Sequence, residues 1–350
     1  MTPSRDEADL VKKYFRLIIF FLISLIFLYF FFRKVDWSEV AKYLTEVNPL
    51  IFTMSILLTP LHLLTRGARW RFLLLPEKSK ISLWNLFASN AVGFTVTFLF
   101  PGRLGELVKP LYLAQKEGIK KGFVLGTVVV ERTFDIFTMC FLLGLFLVAQ
   151  PLYSALFKID EAVNDNLRFW GSVALIFASF LLMASLLLYF FKDPSLRLIS
   201  FFLRPLPLKV RQSLLGLAEE FIIGLKFFHS LKAVLIYIAL SFLVWLLIIF
   251  YYWVFFLAYG VNLSFFFLFP YVFLTMVGAS IPTPGMVGGF HYFSKLALTS
   301  IYGLDPNLAV GITLVTHALQ LVVTCLIGYG ILWKEGISFF QIVQLREKGI

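Results

Sequence analysis

The chain has 350 residues, 60% of them hydrophobic and 18% aromatic, and its mean hydropathy is +0.88. A soluble domain of this length cannot hide that much apolar surface. Several apolar runs reach the roughly 20 residues that span a bilayer. The alternating segments of a membrane barrel are absent. The reading is an all-α, polytopic helical membrane protein, with residues 1–350 forming a single integral membrane domain. The net charge of +11 sits in a few loops. Loops on the cytoplasmic side explain that better than nucleic acid, so no nucleic-acid partner is expected. Cys140 and Cys325 fall within apolar runs and read as small hydrophobes rather than a disulfide or metal pair.

Taken in order, Lys12, Lys13 and Arg16 precede an apolar run to Phe32 that ends at Arg33-Lys34 without a small-residue cleavage site. That is a retained first span rather than a signal peptide. Further spans are expected at 50–65, 122–148, 170–191, 233–258 and 308–333. Two more apolar stretches, 84–100 and 264–281, each end at a breaker: Pro101-Gly102 and Pro282-Thr283-Pro284-Gly285.

Charge counting chooses between topologies. Residues 66–121 hold ten Lys/Arg against three acids, 149–169 hold two against three, and 192–232 hold seven against three. If 84–100 and 264–281 crossed fully, basic links would lie outside. If each instead enters and returns as a re-entrant hairpin, every basic segment is cytoplasmic, 149–169 is external and both termini are cytoplasmic. The chain then has six full spans and two hairpins, eight apolar segments in all. Its second half repeats the first upside down, as in many transporters. Irregular backbone at membrane depth must be covered by protein or line a cavity, so the hairpins are expected to line one. Arg66, Arg69 and Arg71, interleaved with Trp70 and Phe72, read as a helix end anchored in the head-group layer. Residues 212–230 read as an amphipathic surface helix.

Three constellations could carry chemistry. Glu131, Arg132 and Asp135 lie inside an apolar run, with Glu131 about 13 Å along a helix begun near 122. Embedded charges cost on the order of 2.5–3.5 kcal/mol each. They form either a self-neutralised structural cluster or a substrate or ion site. Arg103, Glu106 and Lys109 follow the first Pro-Gly break, where a helix N-terminus and an arginine fork suit phosphate oxygens; ordinary loop charge is the alternative. The stretch holding Pro282, Pro284, Gly285, Gly288 and Gly289 cannot be regular helix and either lines a cavity or is a simple turn. His291 and His317, nearby, are packing residues or proton relays. No Walker A loop, HExxH, Asp-rich, G-x-S-x-G or Cys/His motif is present, so no cofactor, metal or nucleophile is expected.

The segments ARWRFLL (68–74), PGRLGELVKP (101–110), VVERTFD (129–135) and PTPGMVGG (282–289) resemble the flippase-like, lysylphosphatidylglycerol synthase transmembrane-region family over nearly the whole chain. The resemblance implies an integral membrane protein linked to moving or modifying lipids. By motif it carries over to Arg103, Gly105, Glu106, Glu131, Arg132, Asp135, Pro282, Pro284, Gly285 and Gly288. Met286 and His291 stand where the family often has Gly and Glu. The chain ends at Ile350, which leaves no room for the soluble aminoacyl-transferase domain of larger relatives, so lysyl-lipid synthesis by this chain alone is not expected.

The resulting expectation is a translocase of the cytoplasmic (inner) membrane for an anionic phospholipid or polyprenyl-linked lipid. Its partners are membrane lipids with anionic head groups. A homo-oligomer or association with envelope-synthesis enzymes is compatible with the sequence. The candidate substrate-binding residues are Arg103, Glu106, Glu131, Arg132, Asp135, Pro282, Pro284, Gly285, Gly288 and His291. Two alternatives stay open: a membrane enzyme with Glu131 or Asp135 as general base, and a non-catalytic envelope-synthesis partner.

Overall fold

Local sequence signals begin and end the helices. In the computed structural model, which describes residues 5–149, 165–338 and the single residues 152 and 341, α1 is Arg5–Phe32 and α2 is Trp37–Thr45. The Asp36 side chain caps α2 by accepting from the Ser38 and Glu39 amides. Asn48 caps α3 (Pro49–Leu74), with proline at the first turn where no amide partner is needed. Then follow α4 (Leu83–Leu99, capped by Ser82), α5 (Gly105–Glu117, closed by left-handed Gly118) and α6 (Lys121–Val148). The second half comprises α7 (Asp165–Phe190), α8 (Lys192–Phe202), α9 (Leu208–Gly224), α10 (Leu231–Ala258), α11 (Phe269–Ser280), α12 (Gly289–Ser300) and α13 (Pro306–Lys334, capped by Asp305). The expected external link 149–169 falls mostly outside the described residues.

The fold is all-α, with no strand among the described residues. The six expected spans coincide with the six long helices α1, α3, α6, α7, α10 and α13, each of 26 to 29 residues. By length and apolar composition alone, α3, α7, α10 and α13 can cross a membrane, and α1 joins them when taken with α2, to which it is bent by 86°. Helix α6 is as long as these but is interrupted by Glu131, Arg132 and Asp135. Large apolar side chains stand exposed along α1 (Phe21, Leu22, Ile26) and α7 (Phe169, Ile176, Phe180, Met183), the faces of a protein solvated by lipid.

Four of the shorter helices, α4, α5, α11 and α12, have 17, 13, 12 and 12 residues. At 1.5 Å per residue they reach about 18–26 Å, less than the bilayer core. They form two antiparallel hairpins. In the first, Asn85 bonds to Glu117 at the base and Gly93 packs on Gly105 near the tip. In the second, Tyr302 bonds to the Phe267 carbonyl at the base, Tyr271 to Ser294, and Gly278 packs on Gly289 near the tip.

Cross-helix pairs give the relative directions of α1, α3, α6 and α10. Helix α3 runs antiparallel to α6 (Trp70 on Thr127, Arg66 on Asp135) and to α10 (Phe52 on Phe255, Arg66 on Trp245). Tyr252 and Phe256 of α10 pack on Tyr271 of α11, and Phe98 of α4 on His317 of α13. Helix α1 runs parallel to α12, through Ser24 on Val287 and Phe31 on His291 and Lys295. Consequently α10–α13 trace the course of α3–α6 in the opposite direction, and the two hairpins enter from opposite faces. Helices α8 and α9 link α7 to α10; α9 presents Leu214 and Leu217 outward and packs Gly224 against Gly126 of α6.

The inverted relation extends to individual residues at the tips. Each tip is a single 3₁₀ turn, Pro101–Arg103 and Pro284–Met286. Each opens Pro-Gly-X, with the last two residues left-handed: φ is 75° and 55° at Gly102 and Arg103, and 59° and 58° at Gly285 and Met286. The tips touch, since a Cβ on Gly285 would lie 2.9 Å from the Phe98 carbonyl oxygen. Holding Arg103 and Met286 in that region costs about 1–3 kcal/mol each, a strain typical of functional sites.

Two predictions arise from the first hairpin. A Cβ on Gly105 would run into the Gly93 carbonyl and the Thr97 hydroxyl, whereas one on Gly122 meets nothing within 4 Å. Gly105→Ala is therefore expected to lower thermal stability of the detergent-solubilised protein by about 1–3 kcal/mol, with Gly122→Ala near neutral. At the hairpin base, outside the membrane-spanning segments, burial raises the Glu117 pKa, but bonds from Lys78, Asn85 and the Ser82 amide outweigh it and hold the carboxyl below its ordinary 4.5. A carboxylate with a depressed folded-state pKa contributes stability above about pH 4.5 and loses it as pH falls through the lower value. Glu117→Gln should flatten that acid limb of a melting-temperature profile; an unchanged limb would assign it to other groups.

Candidate functional site

The charged residues of α6 meet partners from three other helices. Helix α3 keeps one buried face through its charged end: Thr59, Leu63, Arg66, Arg69, Trp70 and Leu73 recur at helical spacing. This corrects the expectation of head-group anchoring: Arg66 and Arg69 are 5% and 0% exposed and point into the protein. Asp135 receives Arg69 at 2.6 Å, Arg66 and Arg132 at 3.4 Å, and the Trp245 indole of α10 at 3.2 Å. Glu131, fully buried, receives Lys109 of α5 at 2.6 Å, Arg132 at 3.2 Å and Arg69 at 3.3 Å. The Lys109 ammonium also lies 4.3 Å from the centre of the Trp70 ring. His62 Nε2 accepts from Arg66 Nε at 2.7 Å, which leaves the guanidinium aimed at the carboxylates.

Four cations, Arg66, Arg69, Lys109 and Arg132, thus face two carboxylates, an excess of two positive charges. Arg103 and Glu106 pair with each other at 3.0 Å and add nothing to it. A buried charge without a counter-ion costs several kcal/mol, and an anion seated here would offset that cost. Buried Nε atoms of both Arg103 and Arg132 have no hydrogen-bond partner.

Beside the cluster lies a cavity of about 470 Å³. Its cationic wall is Arg66, Arg103 and Arg132, with Glu106 and Asp135 between them. The lining residues from α10, α11 and α13 are aromatic and polar: Trp245, Tyr251, Tyr252, Thr275, His317 and Gln320. The two non-glycine tip residues with left-handed backbone, Arg103 and Met286, both line it. A smaller side pocket continues past Arg103, Glu106 and Arg132 to Lys109.

Of the residues expected from sequence, Arg103, Glu106, Arg132 and Asp135 line the cavity, and Glu131 lies directly behind them. Pro282, Pro284, Gly285 and Gly288 build the second tip without lining the cavity. The Gly285 carbonyl accepts from His317 Nε2 at 3.0 Å, and Gly288, at φ 93°, lies against the Ser24 backbone of α1. His291 sits behind the tip, its ring centroid 4.7 Å from that of His317 and 5.1 Å from that of Phe31. Arg66, Arg69, His62 and Trp245 were absent from the expected set. The signal for the two arginines was present in the unbroken apolar face of α3. Trp245 had none, because its place depends on packing between the halves.

An all-α membrane protein with two opposed helical hairpins, whose tips meet over a buried cationic cluster, is the class defined by this fold and site. The chain belongs to the family described as Lysylphosphatidylglycerol synthase TM region, which it matches over residues 17–328. It is 24% identical over 327 residues to the UPF0104 membrane protein MJ1595 of Methanocaldococcus jannaschii, covering 89% of this chain and 92% of that relative. No solved structure matches this chain.

Proposed function

We propose that this protein translocates a lipid with an anionic head group, a phospholipid or a polyprenyl-linked lipid, across the cytoplasmic membrane, with both termini and the basic loops on the cytoplasmic side. The observation that carries the reading is the cavity where the hairpin tips meet. It joins three arginines and an excess of positive charge to an aromatic and polar lining, among helices whose outer faces are apolar. Arg66, Arg103 and Arg132 bind the head-group phosphate, Arg132 and Arg103 through forks that suit paired oxygens. Glu131 and Asp135 hold the arginines apart in the empty site. With four cations on Glu131 and three on Asp135, both carboxylates are engaged as counter-ions, which disfavours a general-base role. The hairpins close the site from opposite faces, and rocking one inverted half against the other exposes it alternately, while acyl chains stay in the bilayer.

Proteoliposomes carrying labelled anionic and zwitterionic lipids test this reading. Wild-type protein should move the anionic lipid selectively, and Arg103→Ala should lose most of that movement. Failure of the folded wild type to move any lipid would remove the translocase reading and return the enzyme and envelope-partner alternatives.

A further inference from the structure

The charge count limits the head group further, on the premise that the cavity binds a lipid anion. Arg66, Arg69, Lys109 and Arg132 outnumber Glu131 and Asp135 by two, and the remaining charged lining residues, Arg103 and Glu106, neutralise each other. Except for Arg132, the members of this cluster are 6% exposed or less, so solvent screens the excess weakly. The buried, unpartnered Nε atoms of Arg103 and Arg132 give the excess donors to offer. A phosphodiester carries one negative charge and would leave one cation uncompensated. A phosphomonoester, with a second pKa of about 6, carries close to two above neutral pH, and a diphosphate bridge carries two.

We propose that the cavity is matched to a dianionic head group, a lipid phosphomonoester or diphosphate, in preference to a phosphodiester lipid. The dianion seats against Arg132 and Arg103, with Arg66 behind, and its two charges balance the cluster. The remaining volume, toward Trp245, Tyr251 and Tyr252, is open to the rest of the head group or the first part of the chain.

The test is competition on the full-length protein in an uncharged detergent at pH 8, displacing a fluorescent phosphatidic acid. The competitors are unlabelled phosphatidic acid, phosphatidylglycerol with the same acyl chains, and inorganic phosphate. Phosphatidic acid should compete about ten-fold better than phosphatidylglycerol, equivalent to about 1.4 kcal/mol, and inorganic phosphate far more weakly than either. Ile136 lines the cavity beside Asp135 and is 41% exposed, so a longer polar side chain fits there. Ile136→Glu cancels one excess charge and should bring the two lipids close to parity, whereas Ile136→Gln should preserve the ratio. Equal competition by both lipids in the wild type would overturn the dianion inference and leave the translocase reading standing. Inorganic phosphate competing as well as phosphatidic acid would support the dianion and overturn the lipid as its source. Labelled lipid that fails to bind at all would overturn both. If Ile136→Glu does not fold, the wild-type ratio alone decides.

Discussion

Arg132→Ala is expected to abolish anionic lipid movement in proteoliposomes while leaving the protein folded. Arg132 is the member of the cluster that reaches furthest into the open: its side chain is 31% exposed, against 0–6% for Arg66, Arg69 and Lys109. Its removal leaves Glu131 with Lys109, Arg69 and Arg66, and Asp135 with Arg69, Arg66 and Trp245, so neither carboxylate is stranded. The structural cost is therefore small. The functional cost is a charge-assisted contact to phosphate, about 1.5–3 kcal/mol or roughly ten- to a hundred-fold in affinity. Arg132→Lys should recover only part of the activity, since an ammonium keeps the charge but not the fork. Normal transport by a well-folded Arg132→Ala protein would take the phosphate contact away from this residue.

Asp135→Ala is expected to do the opposite, damaging the fold first. Asp135 is the point where α3, α6 and α10 are tied together, through Arg66, Arg69 and the Trp245 indole. Without it, the fully buried Arg69 keeps only Glu131 at 3.3 Å, and the excess positive charge of the cluster rises by one. Breaking a buried pair by removing one partner costs about 3–5 kcal/mol, a large share of the stability of an ordinary domain. The expected readout is a large fall in melting temperature or loss of monodisperse protein after solubilisation. Asp135→Asn retains an acceptor for one of the donors and should lie between Asp135→Ala and the wild type. A fully stable Asp135→Ala protein would mean that Glu131 alone can hold the four cations.

The contrast between the two variants separates residues by what surrounds them. Glu131, Arg132 and Asp135 fall within one helical turn and a half, and their sequence positions alone do not rank them. Helix geometry places Glu131 and Asp135 on one face and Arg132 about 100° away. Only the packing of α3 and α5 shows that the first face is covered and that Arg132 borders the cavity.

Much of this molecule was legible in the sequence, because hydropathy and charge act over whole segments. Runs such as 233–258 and 308–333 could be stable only as helices in lipid, and α10 and α13 follow them to within two residues. The Pro-Gly breaks at 101–102 and 284–285, together with the bias of Lys and Arg between loops, led to two opposed hairpins, and short α4–α5 and α11–α12 pairs stand there. Charges within an apolar run carry an unavoidable solvation cost, so the importance of Glu131, Arg132 and Asp135 was also visible. Tertiary structure decided where the counter-charges come from. Arg66 and Arg69 read as surface anchors because a basic, aromatic helix end looks the same whether it meets head groups or a buried carboxylate, and only the antiparallel approach of α6 distinguishes the two. The meeting of the tips, the use of Trp245 from the other half, and the removal of Pro282, Gly288 and His291 from the cavity wall depend on contacts between residues more than a hundred positions apart. No local pattern encodes those distances.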